Sequence, residues 1–129
     1  MSPLDILVED ARRSGIDPNA ILQALAEMKQ DPNVETVQIG NTLFVVNQVT
    51  PGHVQFEWFT VEDVGALIER IKSLMMLLKR HGMASAETYS DDPSLQGLTK
   101  VPGLTIDVSQ TVKSIGSQMK PVYSYVIRL

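Results

Sequence analysis

The sequence predicts an α+β fold: a mixed, mostly antiparallel sheet with one right-handed β-α-β crossover, preceded by two N-terminal helices. Three observations carry that expectation. From Val54 to Gly82 the apolar pattern switches from a two-residue alternation to a helical period, so a strand feeds directly into the longest helix. Upstream, two alternating runs flank Gly40-Asn41, the signature of a hairpin. Before these, residues 1 to 33 hold two short amphipathic patterns, each opened by a capping residue followed by proline.

At 129 residues the chain is expected to be a single domain, 1–129, with a helical N-terminal segment (1–33) and a sheet-and-helix body (34–129). The longest apolar run, Leu74 to Leu78, is too short to span a bilayer. The start has neither the basic flank nor the apolar stretch of a signal peptide. With no cysteine, disulfides, thiol nucleophiles and zinc–thiolate sites are excluded, which fits a reducing cytoplasm. The net charge of −4 is unevenly spread. Residues 1 to 35 hold seven acids against Arg12, Arg13 and Lys29, whereas residues 93 to 129 set Lys100, Lys113, Lys120 and Arg128 against Asp107 alone. A generic nucleic-acid binder would be more basic overall and richer in exposed aromatics.

In chain order, Ser2 caps a first helix with Leu4, Leu7, Val8 and Ala11 on one stripe, ending at Gly15. Asp17-Pro18 opens a second, with Ile21, Leu22, Leu25 and Met28, broken by Asp31-Pro32-Asn33. The pair reads as cover for one side of a sheet or, alternatively, as an acidic docking arm. Val34 to Ile39 and Leu43 to Val49 form the hairpin, and Thr50-Pro51-Gly52-His53 turns the chain again, leaving His53 exposed. Val54, Phe56 and Trp58 then alternate with Gln55, Glu57 and Phe59. Thr60 is the expected N-cap of the long helix, whose stripe runs Val64, Leu67, Ile68, Ile71, Leu74, Met75 and Leu78. Met76 and Leu77 lie off that stripe and mark a candidate interface with another chain or with the N-terminal helices. Ala84 to Tyr89 is a strand, Ser94 to about Val101 a short helix, and Leu104 to Ser109 and Val122 to Leu129 two final strands. Thr111 to Pro121 reads as a long polar connection.

That order of elements, from residue 34 to the end, resembles the GCN5-related N-acetyltransferase (GNAT) fold. The resemblance implies an acetyl-coenzyme A site at the turn into the long helix. There a Gln/Arg-x-x-Gly-x-Gly/Ala motif lets backbone N–H groups and the helix N-terminus hold a pyrophosphate. Here the turn reads Thr60-Val61-Glu62-Asp63-Val64-Gly65, so only Val64 and Gly65 stand as cofactor-binding candidates. Glu62 and Asp63 add charge of the wrong sign for a phosphate chain. Glu57 resembles the general-base glutamate of some members and is the one catalytic candidate, although a half-exposed strand often carries such a residue. The general-acid tyrosine of the family has no counterpart in the short helix, and Tyr123 and Tyr125 share a strand face as packing residues. No metal site is expected, because Asp91-Asp92 lacks further ligands nearby and precedes Pro93 as a helix start.

The departures from the motif resemble those of small degenerate proteins of tailed bacteriophages. They imply a non-catalytic protein that works through protein–protein contacts, as a virion component or host-interaction protein, in the cytoplasm or the virion. A protein partner or homo-oligomer is expected, with no cofactor. The alternatives are a divergent acetyl-CoA-dependent N-acetyltransferase and a small regulatory module whose basic last third binds nucleic acid or an acidic partner.

Overall fold

The computed structural model describes residues 1–129 apart from Gly116 and the side chain of Ile115. Local chemistry at the chain's start sets the first two helices. Ser2 Oγ accepts from the Asp5 N–H (3.2 Å) while the Asp5 carboxylate accepts from the Ser2 N–H (3.3 Å), a reciprocal cap that opens α1, Pro3–Arg13. The Asp17 carboxylate accepts from the Asn19 N–H and opens α2, Pro18–Met28. The rest runs β1 (Val34–Ile39), β2 (Thr42–Thr50), β3 (His53–Thr60), α3 (Val64–Arg80), β4 (Ser85–Ser90), a 3₁₀ helix (Pro93–Lys100), β5 (Thr105–Ile115) and β6 (Gln118–Arg128).

The six strands form one sheet in the order β1-β2-β3-β4-β6-β5. Every pairing is antiparallel except β3 with β4, the two strands joined through α3. This is an α+β architecture with a mixed, mostly antiparallel sheet and two leading helices, as the periodicity predicts.

Both faces of β2 are covered, which explains its run of five buried residues, Thr42 to Val46. Phe44 and Val46 face α3 and join Val54, Phe56, Leu67, Ile71, Leu74, Met75 and Leu78 in the main core. Leu43 and Val45 face the other way and pack with Ile6, Leu7 and Leu25 of α1 and α2. The N-terminal helices therefore cover the β1–β3 half of the second face.

The last third differs from its expected form. Thr111 to Pro121, read as a polar connection, is instead the distal part of a β5–β6 hairpin paired in register from Thr105↔Arg128 to Ile115↔Gln118, with Gly116 outside the described residues. The segment is polar because it lies outside the core: its described side chains from Thr111 to Pro121 are exposed. Pro121 is tolerated inside β6 because β4 pairs with β6 only as far as Tyr123, so one side of the strand is unpaired at Pro121.

Candidate functional site

Strands β3 and β4 pair over three positions only, His53↔Ser85, Val54↔Ala86 and Gln55↔Glu87, and then part. Thr88 marks the vertex: its buried hydroxyl donates to the Phe56 carbonyl at 2.7 Å. Beyond it the second half of β3 has β2 on one side and no strand on the other. The gap opens into a cavity of about 360 Å³ lined by Glu57, Trp58, Tyr89, Ser90, Asp91 and Lys113 among others. A second cavity of about 180 Å³ shares Glu57, Thr88, Tyr89 and Lys113 with it and extends to Gln55, Glu87 and Met28.

The sequence reading left Tyr89 outside any site, yet it lines both cavities together with Glu57. Burial pushes its phenol pKa up, with the Glu87 charge adding to the shift. Lys113 Nζ lies 3.9 Å from the centre of the Tyr89 ring, a cation–π contact. The strand register brings Tyr89 and Glu57 together: residue 87 lies opposite residue 55, so the two take the same face of the sheet, which the sequence does not reveal. His53, expected in an exposed turn, is the first residue of β3 and half-buried. Its Nδ1 lies 2.6 Å from Ser85 Oγ and its Nε2 lies 3.3 Å from Glu87 Oε1, which also accepts from Gln55 Nε2 at 2.7 Å. The parallel register brings these four side chains together, and they brace the paired end of the strands.

The turn into α3 is closed by its own side chains and by α1. Asp63, not Thr60, is the N-cap, accepting from the Ala66 N–H at 2.8 Å. Thr60 is held elsewhere: its hydroxyl lies 2.7 Å from Thr42 Oγ1 and accepts from the Glu62 N–H at 3.0 Å. The cap falls three residues later because Thr60 is still the last β3 residue paired with Thr42 on β2. Its N–H donates to Asp10 Oδ2 at 2.7 Å, and Arg13 donates to the Val61 carbonyl at 3.0 Å, so α1 clamps the corner.

Glu62 does not face outward as a charge opposing a phosphate. Its carboxylate accepts from the Asn41 N–H (2.9 Å), Thr42 Oγ1 (3.0 Å) and the Arg70 guanidinium (3.0 Å to the nearest nitrogen). The Arg70 hydrogen bond, set against a smaller desolvation cost, holds its pKa below the ordinary carboxylate range. Gly40 permits this arrangement, for it adopts φ +60° and a Cβ there would collide with the Arg70 guanidinium. Gly65 has an ordinary helical backbone and lies exposed at the head of α3. The N–H groups of Val64 and Gly65 take no protein acceptor among the described residues.

Met76, 53% exposed, lies on the outer side of α3. Leu77 instead lines a groove of about 350 Å³ with Pro32, Asn33, Val37, Leu74 and His81. Among the described residues no group of three or more His, Asp or Glu is placed to hold a metal ion. No helix there is long and apolar enough to cross a membrane.

No protein-family model matches the sequence, and no curated protein resembles it closely enough to count as a relative. Solved structures do match the fold. An IAA acetyltransferase from Bacillus cereus superposes with a TM-score of 0.56 at 13% identity, over 83% of this chain and 84% of that one. A ribosomal-protein-alanine N-acetyltransferase from Brucella melitensis gives 0.58 at 9% identity, over 88% and 80%. An acetyltransferase from Bacillus subtilis in complex with CoA gives 0.55 at 13%, over 79% and 81%. The fold is GNAT-like.

Proposed function

We propose that this GNAT-like chain is a non-catalytic protein that acts through protein–protein contacts. The observation that supports it most directly is the Asp63 carboxylate at the head of α3, bonded to the Ala66 N–H where an anionic ligand would approach. A carboxylate there already satisfies the helix dipole and repels a second anion. The braced Glu62 and the clamp from α1 leave the corner little freedom to rearrange. The setting proposed for it is that of the phage proteins it resembles in sequence pattern, a virion or an infected cell. Isothermal calorimetry with acetyl-coenzyme A tests the reading: no heat of binding is expected, and micromolar affinity would overturn it.

A second reading keeps one specific observation on its side. The β3–β4 gap is open, and it carries Glu57 and Tyr89 together. In a divergent N-acetyltransferase Glu57 would take the proton of an incoming amine. Tyr89, whose raised pKa keeps it protonated, would return one to the departing thiolate. Val64 and Gly65 would offer their N–H groups to the cofactor. Two of the structural neighbours are named for such chemistry or hold CoA, and this reading extends that to the present chain. Release of free thiol from acetyl-coenzyme A with amine acceptors, lost in both Glu57→Gln and Tyr89→Phe, would establish it.

A further inference from the structure

We infer that β5 is a self-pairing edge: two copies of this chain join antiparallel through β5, about a twofold axis at Gln110, into one continuous sheet. The inference is independent of whether the β3–β4 gap binds a cofactor.

An unpaired edge strand offers a row of backbone N–H and C=O groups to another chain, and soluble proteins blunt such edges with proline, clustered charge or short strands. The two edges here differ. β1 is only six residues long, and it touches α3 much as β5 touches the 3₁₀ helix. β5 is eleven residues long, has no proline, and carries only Asp107 and Lys113 as charges. It also exposes two valines, Val108 at 38% and Val112 at 57%, on the face that carries Tyr125.

The sequence of β5 complements itself in one register. Pairing about Gln110 sets Val108 against the partner's Val112, and Asp107 against the partner's Lys113. Gln110 meets the partner's Gln110. Both valine pairs fall on one face of the sheet and both ion pairs on the other, because side chains alternate along a strand. Shifting the axis by one residue in either direction sets Val108 or Val112 against Gln110, and Asp107 or Lys113 against Thr111 or Ser109. Cross-strand apolar and opposite-charge pairs are the favourable ones, and like charges directly opposite are not.

Within one chain Lys113 faces Lys120, such a like-charge pair, while Asp107 is bonded to Arg128 at 2.9 Å and Lys113 lies over Tyr89. All four charged side chains are solvent-exposed, so a partner's Asp107 can approach Lys113 and Lys120 without opening the core. A twofold, isologous contact closes on itself and stops at two copies.

Light scattering after size exclusion and a cysteine register test decide the matter, since the chain has no cysteine of its own. Wild type should run at twice the chain mass. Gln110→Cys should cross-link to a covalent dimer under copper–phenanthroline, because opposed Cα atoms in a sheet fall within disulfide reach. Ser109→Cys alone should stay uncross-linked, and a mixture of Ser109→Cys with Thr111→Cys should give the heterodimer. Asp107→Lys should yield a monomer whose circular dichroism matches the folded wild type, and Asp107→Lys/Lys113→Asp should restore the dimer. A wild-type monomer at the highest attainable concentration overturns the inference. So does a dimer that Gln110→Cys fails to trap, or one indifferent to the charge reversals.

Discussion

The corner at the head of α3 and the gap between β3 and β4 lie within ten residues of each other along the chain, and they have opposite character. In the corner Thr60, Glu62 and Asp63 spend their side chains on backbone groups, on Arg70 and on one another, while α1 takes the Thr60 N–H and the Val61 carbonyl. In the gap the strand loses its neighbour after Gln55, and Glu57 and Tyr89 line a cavity that no strand fills. What separates corner and gap is whether the polar groups are already satisfied internally, not their distance from each other.

Predictions follow that contrast. The largest effect is expected for Glu62→Ala, which strips Asn41, Thr42 and Arg70 of a shared charged acceptor; a loss of about 2–3 kcal/mol should appear in urea unfolding. The same carboxylate gives a pH signature. Because its folded pKa is lowered, its contribution is complete above the ordinary carboxylate range and is lost as pH falls through the folded value. The stability gap between wild type and Glu62→Gln should therefore shrink progressively in acid; a gap independent of pH would contradict the ion pair.

Thr88→Val removes the bond at the vertex of the gap and leaves the Phe56 carbonyl without its donor, at a cost of about 1–2 kcal/mol in the same unfolding measurement. Asp63→Ala should cost about 1 kcal/mol as a lost N-cap, whereas Thr60→Ala should not reproduce a capping effect on α3 helicity measured by circular dichroism. The smallest effect belongs to Tyr125→Phe. The Tyr125 hydroxyl is buried with no partner among the described residues, so its removal should leave thermal stability unchanged or slightly raised. In a spectrophotometric titration Tyr89 and Tyr125 should ionise above the usual phenol range, both through burial first.

The apolar periods in the sequence carried the fold well. The alternation of Val54, Phe56 and Trp58 in β3 and the three-and-four spacing of α3 come from burial of one face in the main core, and both elements lie where those periods place them. The distal part of the β5–β6 hairpin, unlike its base, was illegible for the complementary reason: a ribbon exposed on both faces has no apolar alternation to read beyond Thr111. Capping was half legible. Thr60 and Asp63 both suit an N-cap, and only the β2–β3 register, which keeps Thr60 in the sheet opposite Thr42, decides between them. At the candidate site, Glu57 could be seen from its strand, but Tyr89, Lys113 and the His53–Glu87 contact are products of the parallel register and of cross-strand reach. Glu62 looked like a free charge because Arg70, its counter-ion, lies two turns further along the helix.

The bonds from Asp10 and Arg13 to the corner also bear on how the chain is made. During synthesis α1 leaves the ribosome well before residues 43 to 61, to which it attaches, so until the sheet forms Ile6 and Leu7 have only α2 to pack on. The contacts involved span 48 and 50 residues, so closing them carries a large loop entropy and belongs late in folding. Docking of α1 is therefore a late step, and it completes the corner that holds the head of α3.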